Sequence, residues 1–296
     1  MSGPTSWQIS GGGYRAVVFE AGGGLGDVWH EDRRLVQGAD PARLVGGGRG
    51  QVLAPWPNRL RDGRYAYAGE SYQLALSEPE RHNAIHGFAR WHAWRLRDRT
   101  DAKIRLGCRL PARKGYPWTL DLALTYSAGE DGLVVTLGAT NIDDTVAPFA
   151  AGFHPYLDAG APADACTLTL PAHTHQLVDE RLLPTGSEPV AEPGPRILDG
   201  VVLDDAFTDL DRDPDGWAVA RLEGAHAVEL VVDGSWRWVQ AYTGDTLPAE
   251  QRTAVAVEPM TAPADAFNSG TDLIDLAPGA PWSATFRIRR GGTAPR

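Results

Sequence analysis

Residues 118 to 141 read WTLDLALTYSAGEDGLVVTLGATN, and their two-residue rhythm decides the fold class. Leu120, Leu122, Leu124 and Tyr126 share one face of an extended chain, while Thr119, Asp121 and Thr125 take the other. Side chains of a strand point alternately to its two sides, so this pattern marks a strand with one buried face. SAGEDG then supplies a turn, and LVVTLGATN alternates again, with Leu133, Val135 and Leu137 together. The pair predicts a β-hairpin.

Working outward, similar patterning returns in YRAVVF (14–19), RYAYAG (64–69), AVELVVDGSWRWVQAY (227–242), TAVAVEP (253–259) and WSATFRIRR (282–290). Gly, Pro and Asp clusters separate these runs, and no 12-residue window carries a 3.6-residue apolar stripe. The expectation is an all-β chain built on two large packed sheets. PTGSEPVAEPGPRILDG (184–200) is rich in Pro and Gly but lies between strand-like segments, so it reads as a long surface loop rather than a linker. Residues 1–296 are accordingly expected to form one domain.

Composition narrows the function. A net charge of -10 disfavours a nucleic-acid partner, whose phosphates require clustered Lys and Arg. No stretch reaches the roughly 18 apolar residues of a membrane span, and the first residues show no basic region followed by an apolar one. A cytoplasmic protein with no membrane partner is expected. Cys108 and Cys166 have neither the number nor the spacing of a disulfide framework or a zinc site. Ten tryptophans either fill the core or offer faces for a sugar to stack on. The glycine clusters at 11–13, 22–26 and 46–50 do not make a dinucleotide fingerprint, because Gly50 is followed by QVLAPWPN, where prolines block the helix such a site needs.

Polar groups concentrate in four turn-rich stretches: PWPNRLRDGRY (55–65), HNAIHGFARW (82–91), AGFHPYLD (151–158) and AVEPMTAPADAFNSG (256–270). Glu258 ends an apolar run, where a carboxylate is either a catalytic group or half of a structural ion pair. His154 is held extended by the following Pro155 and is either a proton donor or a core histidine. His82 and His86 have the spacing of a helical metal pair, but Asn83 and Gly87 oppose a helix and no third ligand is indicated. His173 and His175 share a strand face and also lack companions, so no metal is expected.

Taken together, these stretches resemble the aldose 1-epimerases, or mutarotases, in order and over nearly the whole chain. The matching motifs are PWPNRLRDG, NAIHG, HPYLD, LDDAF, VQAYTGD and EPMTAPADAFNSG. The resemblance implies a galactose mutarotase-like supersandwich of large antiparallel sheets with a sugar cleft on its concave side. It also implies interconversion of the α and β anomers of a free hexose without a cofactor. Glu258 would be the base at the anomeric hydroxyl and His154 the acid at the ring oxygen, exchanging roles as the ring recloses. His86 and Arg59 would position the sugar, Asp204 would accept its hydroxyls in preference to Asp205, and Asn58 and Gln240 match secondary contacts.

HGFAR departs from the two glycines that many galactose mutarotases carry after this histidine, and it also resembles the hexose-6-phosphate mutarotases. Arg90, and less readily Arg61 and Arg64, would then be phosphate ligands. The segments around Arg59 and Glu258 favour the free sugar. Two other classes remain: a non-catalytic sugar-binding or sensor protein, which needs no acid–base pair, and a glycosidase, which needs two carboxylates, with Asp204 or Asp265 as partner to Glu258.

Overall fold

A computed structural model describes residues 5–39, 46–191, 194–247 and 250–292. Leu120–Gly129 and Gly132–Asn141 form the expected hairpin, in unbroken antiparallel register from Leu120↔Asn141 to Gly129↔Gly132. The strand continues through Ser127, Ala128 and Gly129, so the turn is only Glu130 and Asp131 rather than the whole of SAGEDG. Residues with weak strand preference are carried along once a partner strand offers hydrogen bonds. Leu120, Leu122, Leu124, Tyr126, Leu133, Val135 and Leu137 are all buried.

The hairpin lies in a nine-stranded sheet ordered Arg95–Arg99, Lys103–Leu110, Leu120–Gly129, Gly132–Asn141, Pro281–Arg290, Ala227–Val232, Ala218–Glu223, Thr167–Leu170, Gly194–Ile197. A twelve-stranded sheet packs against it. Its main path runs Ser6–Gly11, Tyr14–Phe19, Leu25–His30, Arg33–Val36, Tyr156–Leu157, Val255–Met260, Trp238–Tyr242, Asp204–Leu210, Ala172–Val178, Pro184–Pro189, with Gly152–Phe153 and Val52–Leu53 attached beside Val255–Met260. Between the sheets, Leu124, Val135, Leu137 and Phe286 share one buried cluster with Phe153, Val239, Val255 and Val257. Phe153 and Phe286 meet with ring centroids 5.1 Å apart.

Two expectations are refined. The 227–242 stretch divides, with Ala227–Val232 in the smaller sheet and Trp238–Tyr242 in the larger. DGSW makes the crossing, and buried Trp236 anchors it against Trp282 and Phe286. The supposed surface loop 184–200 contains Pro184–Pro189 and Gly194–Ile197, each the edge strand of a different sheet; residues 192 and 193 lie outside the described residues. An edge strand needs hydrogen bonds on one side only, which is where proline is tolerated. The sole α-helix among the described residues is Ala266–Ser269, and no helix there is long and apolar enough to cross a membrane.

The larger sheet positions the polar stretches. Val239, Ala241, Val255 and Val257 point into the core, so Gln240, Tyr242, Ala256 and Glu258 must point to the opposite face. Segments around Gly48, Asn58 and His86 are brought over that face.

Candidate active site

Cross-strand register brings the central pair together. Gly152↔Met260 and Tyr156↔Ala256 bracket His154 and place it across from Glu258. His154 Nε2 lies 3.2 Å from Glu258 Oε1, with the residues only 5% and 2% exposed. Glu258 Oε2 and His154 Nδ1 have no hydrogen-bond partner among the described residues. Such buried atoms are rare and call for an explanation.

The electrostatics are unusual for both groups. Burial pushes the Glu258 carboxyl well above its ordinary range, Asp204 adds to the rise, and Arg59 opposes it. Burial pushes the His154 imidazole down to about 3, reinforced by Arg49, Arg90 and Arg59. The pair thus favours a neutral acid beside a neutral imidazole. That state holds the same number of protons as a carboxylate beside an imidazolium. The pair can therefore change between these two forms with no net exchange of a proton with solvent.

Asn58 and His86 form the next layer. Arg59–Arg61 pairs antiparallel with Asn83–Ile85, and the Arg59↔Ile85 pair sets Asn58 and His86 side by side just beyond it. Both adopt left-handed backbone, with φ of 52° and 63°. The cost of that conformation in a non-glycine residue is met by two mutual bonds: the His86 N–H donates to the Asn58 carbonyl at 2.9 Å, and the Asn58 N–H donates to His86 Nδ1 at 3.1 Å. Because Nδ1 accepts, the neutral ring carries its proton on Nε2. Burial, followed by Arg90, His154 and Arg59, holds the His86 pKa well below the ordinary value. The His86 and His154 rings meet edge to face at 5.5 Å. Gly87 follows because the backbone passes so close to Ala54 that a Cβ would lie 2.1 Å from its carbonyl oxygen, at a φ of +59°.

A polar relay extends from Asn58. Its Nδ2 donates to Gln240 Oε1 at 3.1 Å, and Gln240 Nε2 donates to Asp204 Oδ1 at 2.8 Å. Arg59 donates through Nε and Nη2 to Glu78, and its Nη2 lies 3.6 Å from Asp204 Oδ2. Burial works against the Arg59 charge, but Asp204 and Glu78 outweigh it and raise its pKa. Asp204 is half-buried, as are His86 and Arg90, so access to Glu258 lies on their side. A cavity of about 850 Å³ opens elsewhere, at the sheet edges beside Leu170, Ile197 and Phe207.

Of the three arginines considered for phosphate, only Arg90 belongs to this neighbourhood. Its Nη2 donates to the Ile85 carbonyl at 3.2 Å, its guanidinium lies 4.4 Å from the Trp91 ring centre, and its Nε has no partner among the described residues. Burial lowers its pKa to about 10. Arg61 pairs with Asp265 at 3.3 Å and Arg64 donates to Gln73, so both are committed elsewhere. Asp265 is engaged by Arg61 and Asn268, which removes it as a second carboxylate for Glu258.

The remaining histidines are dispersed, His30 lying against Tyr14 and His226 at the carbonyls of Arg34 and Asp158. His82 pairs with Asp62, His92 with Arg113, His173 with Asp211, and His175 with Glu188 and Asp205. Asp205 therefore faces away from Asp204, on the other side of its strand. Among the described residues no three His, Cys, Asp or Glu side chains converge on a point that could hold a metal.

Sequence reasoning missed Glu78, Gly48, Arg49 and Tyr156. Glu78 carries no local pattern that links it to Arg59. Tyr156 stood within HPYLD, and the alternation from His154 could have placed it on the same face. Gly48 and Arg49 lay in a glycine cluster examined only for nucleotide binding; a Cβ on Gly48 would come within 2.5 Å of His154 Cδ2.

Comparison with known proteins agrees with this architecture. The family model described as aldose 1-epimerase matches residues 5–289. The uncharacterized protein YihR of Escherichia coli K12 is 33% identical over 288 residues, 95% of this chain and 92% of its own. The crystal structure of the GalM/aldose epimerase homologue from C. elegans superposes with a TM-score of 0.85 at 17% identity, covering 98% of this chain and 100% of that one. Galactose 1-epimerase from Lactobacillus acidophilus gives 0.80 at 21% identity, covering 95% and 92%. The structural matches establish the galactose mutarotase-like fold. Because the family model described as aldose 1-epimerase spans residues 5–289, nearly the entire chain, this protein belongs to the aldose 1-epimerase family.

Proposed function

We propose that the protein is a hexose mutarotase, an isomerase that interconverts the α and β anomers of a free hexose by opening and reclosing the pyranose ring. The observation that carries this reading is the buried His154–Glu258 pair at 3.2 Å. The anomeric hydroxyl and the ring oxygen are bonded to the same carbon, so the base and acid that serve them must stand close together. A glycosidase instead separates its two carboxyl groups by about 5 to 9.5 Å. A sugar sensor has no use for an acid and a base poised to exchange a proton.

In the reaction, the shared proton first moves from Glu258 to His154, leaving a carboxylate and an imidazolium. Glu258 then takes the proton of the anomeric hydroxyl as its C1–O bond becomes a carbonyl. The C1–ring-oxygen bond breaks, and His154 delivers its proton to that oxygen. The aldehyde rotates about C1–C2. Closure returns the ring-oxygen proton to His154 and protonates the new anomeric oxygen from Glu258, so no net proton or electron is consumed. His86 Nε2–H and Arg59 donate to sugar oxygens on the open side, while Asp204, oriented by Gln240, accepts from a hydroxyl. Asn58 holds Gln240 and His86 in place.

Arg90 supports a second reading, a hexose 6-phosphate as substrate. It stands half-buried near His86, where an anionic group at the site would meet its charge.

Polarimetry on freshly dissolved α-D-glucose, α-D-galactose and their 6-phosphates tests both readings. Wild type should speed equilibration, and Glu258→Gln or His154→Asn should lose about 10² to 10⁴ of that rate. Acceleration confined to phosphorylated sugars would replace the free hexose with the second reading. A wild-type protein inert towards all four sugars, or variants as active as wild type, would refute the mutarotase assignment.

A further inference from the structure

We propose that Arg49 is a positioning residue for His154, fixing the imidazole against Glu258 through Tyr156 and supplying a permanent positive charge beside it. The inference rests on the acid–base reading of His154 and identifies what holds that group in place.

The segment 47–51 grips His154 and Tyr156 at several points. The Gly50 N–H donates to the His154 carbonyl at 2.7 Å, and the His154 N–H donates to the Gln51 carbonyl at 3.1 Å. Tyr156 Oη donates to the Gly47 carbonyl at 2.7 Å. Gly48 lies against the imidazole itself, in a space that no side chain larger than hydrogen can share. The rings of His154 and Tyr156 lie parallel, 6° apart in tilt and 5.1 Å between centres. Arg49 completes the assembly with its guanidinium 3.9 Å from the Tyr156 ring centre.

Arg49 is held firmly. Its side chain is 3% exposed, Nη1 donates to the Gln37 carbonyl at 3.1 Å, and Nη2 lies 2.7 Å from Glu250 Oε2 as a charge contact that lacks hydrogen-bond geometry. Glu250 is half exposed, so it offsets the buried charge incompletely. The groups acting on His154 are Glu258 at hydrogen-bond distance, His86 edge-on, Tyr156 in parallel, and the arginines 49, 59 and 90. Of those three charges, Arg49 has the largest influence on the imidazole. A fixed cation there makes the imidazolium a better proton donor, because a proton on His154 is repelled towards the ring oxygen. It also prevents His154 from keeping an extra proton in mildly acidic solution, when the pair would lose its base.

The test compares wild type, Arg49→Met and Arg49→Lys by NMR titration of the His154 ring in nitrogen-labelled protein and by the pH profile of kcat/KM. Arg49→Met should move the charging of His154 upward by about one pH unit and shift the acid limb of the profile with it. It should also lower kcat about tenfold while changing KM less, because the imidazole is no longer held flat. Arg49→Lys restores the titration but not the planar contact, so its kcat should remain below wild type. If Arg49→Met fails to fold, the Lys variant still decides: a lysine enzyme with wild-type kcat would overturn the positioning role. An unchanged His154 titration in Arg49→Met would overturn the electrostatic role. Should wild type lack epimerase activity, the titration still tests Arg49, so the two readings fail separately.

Discussion

Glu258→Gln should make the protein more stable, by an amount that grows with pH. The side chain is buried with its pKa raised well above the ordinary 4.5, whereas an unfolded chain releases that proton near 4.5. Above that pH the folded state binds one more proton than the unfolded state, so wild-type stability falls as pH rises, until Glu258 ionises in the fold. The slope is about 1.4 kcal/mol per pH unit. His154 acts in the opposite sense. Its folded pKa of about 3 lies below the ordinary 6.5, so it costs stability as pH falls from 6.5 towards 3. The two effects cancel between 4.5 and 6.5, and the Glu258 penalty stands alone above 6.5. Glutamine matches the shape, can keep the contact with His154, and has no charge to release. Relative to wild type, Glu258→Gln should therefore be of similar stability at pH 4 and gain about 1.4 kcal/mol per pH unit above 4.5, while all other titrations subtract out. For a chain of 296 residues that is a rise in Tm of about 2 °C per unit. Paired urea melts or calorimetry from pH 4 to pH 8 measure it. Parallel curves, or a variant that loses ground as pH rises, would show Glu258 already ionised and refute the neutral-pair argument.

Two further outcomes follow from contacts near the pair. Gly48→Ala places a methyl 2.5 Å from His154 Cδ2 at a φ of +66°, and should cut kcat by about 100-fold while destabilising the fold by about 1 to 3 kcal/mol, read by polarimetry and denaturant melts; wild-type kcat would show that the imidazole does not need its position. Glu78→Gln leaves the buried Arg59 with Asp204 at 3.6 Å as its remaining anion, and should cost about 3 kcal/mol and raise KM more than it lowers kcat; a neutral effect on both would mean that Arg59 is not oriented by Glu78.

The stretches that meet at the candidate site were legible for different reasons. Glu258 stood out because a carboxylate at the end of TAVAV conflicts with its surroundings, and the structure sets against it an imidazole from the segment between Gly152–Phe153 and Tyr156–Leu157. HNAIHGFARWHAW offered three histidines but only His86 and Arg90 reach the site. His82 and His92 turn to Asp62 and Arg113, and Trp94 is buried with its Nε1–H donating to the Ala89 carbonyl. The left-handed φ of Asn58 and His86 had no local signal, because it is sustained by bonds between residues 28 apart.

What the sequence determined by itself was local: alternation over two residues, turn chemistry, and motifs whose order is carried by the chain. These suffice for all-β architecture because strand faces are set by a period of two, whatever the strand pairs with. Tertiary structure alone decided which sheet each half of 227–242 joins, that 184–200 supplies two edge strands, and that Glu78 belongs to Arg59. It also set the proton affinities of Glu258 and His154, since burial and the charges of Asp204, Arg49, Arg59 and Arg90 act through space from distant parts of the chain. Pairing partners and desolvation are properties of neighbours in space, and a linear pattern records neighbours only along the chain.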